Sequence, residues 1–97
     1  MPTYVTLINY TQQGVQNMKD SPARLDEAKQ AFEAMGARLL AFYLTLGQYD
    51  ALVIAEGPDE ETMTALALLI SAQGAIRTQS FRAFTEEEYR QIIASLP

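Results

Sequence analysis

Eight side chains in this sequence could bind or react: Asn9, Tyr10, Thr11, Lys19, Tyr49, Asp50, Arg77 and Thr78. The two phenols and the carboxylate are proton-transfer groups, and Arg77 or Lys19 could steady an anionic intermediate. The amide and the hydroxyls suit hydrogen bonding to a ligand. Each residue also has a structural reading. Asp50 can close a hairpin through backbone amides, and Asn9 and Thr11 can tie down a loop. Tyr10 and Tyr49 can be half-buried rings with satisfied hydroxyls. Arg77 and Lys19 can be solvated charges or ion-pair partners. Glu86, Glu87 and Glu88 form a helix cap and no metal site, because three consecutive helical positions do not face one point.

What is missing narrows the chemistry further. There is no Cys and no His. That removes the disulfide, the thiolate nucleophile, the commonest general base and the usual ligands of zinc, copper and haem. The remaining oxygen donors suit only hard ions, and no calcium-loop spacing is present. No cofactor is expected. Asp and Tyr without His must be moved several pKa units to work near neutrality, which counts against catalysis. The net charge is −5, and the seven Lys and Arg residues are scattered. No basic stripe exists to neutralise a phosphate backbone, so nucleic acid is excluded as a partner, and an acidic surface is repelled by anionic lipid. The start, Met1-Pro2-Thr3-Tyr4-Val5, has no basic or apolar leader region, and Asn9-Tyr10-Thr11 is a sequon without secretion. A cytoplasmic protein of one domain, residues 1–97, with no membrane span, is the expectation.

The elements that must position these residues are legible from patterning. Thr3 to Tyr10 is a strand, rich in Tyr, Val, Thr and Ile. Thr11 to Asp20 reads as a loop or irregular turn. Ser21-Pro22 announces a helix with Ser as N-cap. Its stripe is Leu25, Ala28, Phe32 and Met35, and Gly36 ends it. A second strand covers Leu39 to Leu46, Gly47-Gln48-Tyr49-Asp50 is a turn, and Ala51 to Glu56 is a short apolar strand. Asp59 caps the next helix, with Glu60 and Glu61 at the positive end of its dipole. Met63, Leu66, Ala67 and Ile70 form its stripe, and Gly74 stops it. Ala75 to Phe84 is a fourth strand. Thr85 to Glu88 is a capping box with Phe84 and Tyr89 as the staple. The last helix, ending near Leu96, is too short to hold itself in water, so Ile92, Ile93 and Leu96 must dock on something.

Strand–helix–strand written twice, then a helix, predicts an α+β ferredoxin-like βαββαβ fold. Its antiparallel four-stranded sheet has order 4-1-3-2, with two helices on one face. The first two strands then finish at one edge, here termed the upper edge. That edge collects all eight residues above together with Gln12 and Asn17. The lower edge carries Tyr4, Arg38, Glu56 and Arg82. Loops at one end of a rigid sheet commonly carry binding residues. Asp50 is expected to accept backbone amides of its own turn or of the loop after Asn9, with Arg77 or Lys19 as charge partner. Two helices cover only one sheet face. The first strand has Val5 and Leu7 on one side and Tyr4, Ile8 and Tyr10 on the other. The second has Leu40, Phe42 and Leu44 against Leu39, Ala41 and Tyr43. Parity does not decide which face meets the helices, but either leaves large apolar groups uncovered, which marks an interface. A second copy is the simplest cover, through a two-fold axis.

The residues Gly47-Gln48-Tyr49-Asp50 resemble the Gly-Tyr-Asp motif of the GYD domain family, in the form with one inserted residue. Asn9 to Gly14, Lys19 to Arg24, Tyr43 to Gly47, Glu56 to Asp59, Ile76 to Gln79 and Arg82 to Phe84 are similar to that family too, so the resemblance spans nearly the whole chain. It implies a fold like the dimeric α/β barrels, and it implies neither an activity nor catalytic residues. The functional expectation is a homodimeric module that binds a small molecule or a partner at the upper edge. The alternatives are a cofactor-free enzyme using Tyr10, Tyr49 and Asp50 with Arg77 or Lys19, and a ligand-free assembly subunit.

Overall fold

The computed structural model of the chain describes residues 1–97. Four strands, β1 (Thr3–Tyr10), β2 (Arg38–Leu44), β3 (Ala51–Glu56) and β4 (Ile76–Ala83), form one sheet. Its order is β2-β3-β1-β4, the expected 4-1-3-2 read from the other side, and all three pairings are antiparallel. The helices are α1 (Gln12–Gln16), α2 (Ser21–Ala34), α3 (Glu60–Ser71) and α4 (Glu86–Ala94), with a 3₁₀ turn at Met18–Asp20. None is long and apolar enough to cross a membrane.

The ladder answers the question that parity left open. Tyr4 and Ile8 of β1 lie beside Ala55 and Ala51 of β3, and all four are buried with Phe32 of α2 or Leu66 of α3 on the same side of the sheet. Even-numbered residues of β1 therefore meet the helices. Val5, Leu7, Leu52, Ile54 and Phe81 share the other face, which no helix between the strands covers. On β2 the simple alternation fails. A β-bulge shifts the register between Leu39 and Ala41, so Leu39 and Phe42 pair with Ala55 and Val53 on the helix face. The extra residue, Leu40, is left unpaired and exposed. A bulge of one residue resets which side chains face inward, and hydrophobicity alone does not announce it.

The segment 11–20, expected as a loop or irregular turn, forms the helix α1 followed by the 3₁₀ turn. Thr11 is the N-cap of α1, accepting the Gly14 N–H at 3.1 Å. Gly14 is required there, because a Cβ would lie 2.1 Å from the Ala75 carbonyl oxygen. Helix α2 begins one residue earlier than expected, with Asp20 rather than Ser21 at the N-cap. At its other end Ala37 N–H bonds Phe32 O and Gly36 N–H bonds Glu33 O, with Gly36 at φ +76°. That is the Schellman closure that glycine favours. Asp59 caps α3 through the Thr62 N–H at 2.7 Å, which holds its carboxyl below the usual range. The capping box of α4 is complete in both directions. Phe84 and Tyr89 are both more than half exposed, and the ring of Phe84 carries Arg82 at 4.4 Å.

Candidate functional site

The upper edge is built by the hairpin between β2 and β3, the end of β1 and the start of β4. Gly47, at φ +100°, turns the hairpin in a conformation that side-chain-bearing residues rarely adopt. Asp50 anchors it. Its carboxylate accepts the Tyr10 N–H at 2.9 Å, its N–H donates to Ile8 O at 2.8 Å, and its carbonyl accepts the Thr45 N–H at 2.9 Å. The expected acceptor role in the segment after Asn9 is thus observed. The expected charge partner is not: the two ion pairs in the structure are Arg82–Glu88 and Arg90–Glu86. The backbone donors around Asp50 satisfy its geometry without either cation.

Sheet parity divides the remaining candidates between two faces. Asn9 pairs with Arg77 on the open face, where Asn9 Nδ2 donates to Gln48 O at 3.0 Å. Tyr49 lies over the same face, and its hydroxyl donates to Gln79 Oε1 of β4 at 3.1 Å. Tyr10 and Thr78 belong to the helix face. The Tyr10 hydroxyl is 3.4 Å from Ser21 Oγ, and Thr78 Oγ1 is 3.4 Å from Ser71 Oγ. Both line a mostly apolar cavity of about 130 Å³ between the helices and the sheet. Thr11 donates to Gly74 O at 2.6 Å and so ties β1 to the turn before β4. Lys19 is exposed on the 3₁₀ turn.

The structure therefore brings Asn9, Tyr49 and Arg77 to one rim, with Asp50 beneath it. It separates Tyr10, Thr78, Thr11 and Lys19 from them. Tyr10 and Tyr49 present their hydroxyls to opposite faces, so the set that a proton-transfer mechanism would use does not converge on one point. Two rim residues were not singled out in advance. Gln79 has the same strand parity as Arg77, which is a readable signal. Gln48 takes part only through its carbonyl, and a backbone contact leaves no side-chain signal.

The lower edge is richer than the sequence suggested. Arg82 lies 5.9 Å from the buried Tyr4 ring, donates to the carbonyls of Thr3 and Ala83, and pairs with Glu88 at 3.5 Å. The Glu88 carboxyl is held below its usual range, chiefly by the Thr85 N–H and in part by Arg82. The Tyr4 hydroxyl is buried without a hydrogen-bond partner.

Comparison with known proteins places this arrangement. A family profile described as the GYD domain matches residues 4–93. The "Glutamine synthetase and cystathionine beta-lyase binding protein" of Thermus thermophilus is 31% identical over 84 residues, which are 86% of this chain and 88% of that protein. A crystal structure of a Thermus thermophilus protein aligns with TM-score 0.56 and 20% identity, covering 88% of this chain and 95% of that one. The leucine response regulatory protein of Mycobacterium tuberculosis aligns with TM-score 0.65 and 15% identity, covering 87% of this chain and 51% of its own. This chain thus spans about half the length of that regulator. At these identities the two solved structures speak to the fold alone, an α+β ferredoxin-like one.

Proposed function

The chain belongs to the GYD domain family, and on that premise we propose that it is a homodimeric binding module whose ligand is another protein, engaged at the upper edge. The observation that carries this reading is how the polar groups of that edge are used. Asp50, Asn9, Thr11 and Tyr49 each hold the chain's own backbone or side chains in place. They make the edge rigid and leave no free carboxylate or phenol poised for proton transfer. Pre-organised surfaces of this kind lose little entropy on association, which favours binding. Arg77 on the rim, and Lys19 apart from it on the 3₁₀ turn, have no ion pair and supply the contacts to acidic groups of the partner. The open face, with Val5, Leu7, Leu52, Ile54 and Phe81, seats the second copy.

The name of the Thermus relative supplies the first partners to try. Immobilised protein should retain purified glutamine synthetase or cystathionine β-lyase from its own source organism. Lys19→Glu with Arg77→Glu should weaken retention about tenfold or more while leaving the melting temperature unchanged. Retention of neither enzyme at ten-micromolar concentrations, or equal retention by the charge-reversed variant, would exclude this reading of the edge.

A further inference from the structure

Helix α4 is unfinished on one side. Tyr89, Ile92, Ile93 and Leu96 recur at spacings of three and four, one apolar stripe on a helix. They are 57%, 43%, 48% and 62% exposed, and no residue of α4 is buried. The polar side is complete, with the capping box and the Glu86–Arg90 pair at 2.9 Å. Nine residues are below the length at which a helix sustains itself in water, so this stripe needs a cover. The chain's own body does not provide it. The radius of gyration is 14.6 Å and the longest extent 52 Å. A compact chain of this length has a radius near 12.5 Å, so α4 projects from the body.

Three observations identify the cover as a second copy of this chain, an inference that rests on the sheet-face dimer proposed above. The first is area. Four strands about 4.8 Å apart and roughly 20–26 Å long offer an open face of about 400–500 Å². A stable interface needs about 800 Å² per partner, so the sheet face alone falls short. An α4 roughly 13.5 Å long and 10 Å wide, with the surface it lands on, supplies most of the rest. The second is placement. Strands β4 and β2 are opposite edges of the sheet, and the end of β4 and the start of β2 lie at the same lower end. Stacking two open faces about a two-fold axis parallel to the strands sets the end of β4 over the start of the other copy's β2. That corner carries Leu40, turned out by the bulge and 47% exposed, and Tyr43, 57% exposed, follows three residues, about 10 Å, further up the same strand. The third is charge. Glu87 is the one acid in the first turn of α4 without an ion pair, and Arg38, exposed at the start of β2, has none either.

We propose that α4 is an arm that crosses to a second copy and lays its apolar stripe on Leu40 and Tyr43 of that copy, with Glu87 facing Arg38. The symmetry gives two such arms per dimer.

Sedimentation of the full chain over a dilution series tests this, with Ile92→Asp plus Ile93→Asp as the variant. Neither side chain is buried, so the fold should survive, and circular dichroism verifies that. The expected result is a dimer whose dissociation constant rises about tenfold or more in the variant. Because the chain has no Cys, Leu40→Cys combined with Ile93→Cys reports the placement directly. Oxidation should give a covalent dimer at a yield well above that of either single Cys variant. An unchanged dissociation constant overturns the arm and leaves the sheet-face dimer standing. A disulfide closed within one chain, or equal yield from Ile93→Cys alone, overturns the placement of the arm. A full chain that is monomeric throughout overturns the arm and the dimer together, while partner retention is measured separately.

Discussion

Asp50 decides the character of the upper edge. Its carboxylate replaces the backbone partner that Tyr10 N–H would otherwise lack at the end of the β1–β3 ladder. Removing the acceptor leaves a part-buried N–H unsatisfied, which costs about 1–3 kcal/mol. Asp50→Ala should therefore lower the melting temperature by roughly 5–15 °C. Asp50→Asn keeps one oxygen acceptor and the turn geometry, and should cost less than about 1 kcal/mol. Thermal denaturation of the two variants side by side checks this. A melt of Asp50→Asn as low as that of Asp50→Ala would show that charge, and not the acceptor, holds the hairpin. An unchanged melt for both would show that the hairpin stands without the bond.

At the scale of elements, the helix starts depend on carboxylates. Asp59 and Glu88 are both held below the usual carboxylate range, each mainly by a backbone N–H of its own cap. A group whose folded pKa lies below its unfolded one stabilises the fold above the unfolded pKa, near 4. That contribution is lost as the pH falls through the folded pKa. Stability should accordingly be level from about pH 7 to 5 and decline below about 4. Asp59→Asn with Glu88→Gln should flatten this acid limb, because the amides still accept the capping bonds but do not titrate. An acid limb of unchanged slope in the double variant, followed by thermal melts across pH, would assign the loss to other carboxylates.

At the scale of the whole molecule, one apolar face and one apolar helix stripe are left uncovered by a chain with the means to cover only one sheet face. Ile54 sits centrally on that open face, beside Val5 of β1 and Ala41 of β2. Each such side chain contributes about 1.5–3 kcal/mol when fully buried. Ile54→Asp should dissociate the proposed dimer at micromolar concentration while the monomer keeps its circular dichroism. Sedimentation identical to that of the parent chain would show that this face is not the interface.

The sequence by itself determined the order of the strands and of the three longer helices, the strand order in the sheet, the capping of α3 and α4 and the glycine stop of α2. These depend on local rules: residue period, side-chain oxygens beside free N–H groups, and backbone conformations that glycine tolerates. It also placed Asp50 as an acceptor, since a turn carboxylate finds backbone donors close in sequence or in register. Tertiary structure alone decided which face of β1 meets the helices, because Tyr4 and Ile8 on one side and Val5 and Leu7 on the other are equally apolar. It decided the bulge at Leu40, whose position follows from how β2 fits β3 and not from composition. It turned residues 12–16 into a helix, because Thr11 and Gly14 pack against Gly74 and Ala75 from a distant part of the chain. And it set Asn9 and Arg77 on one face and Tyr10 and Thr78 on the other, because adjacent residues on a strand point in opposite directions however similar their chemistry.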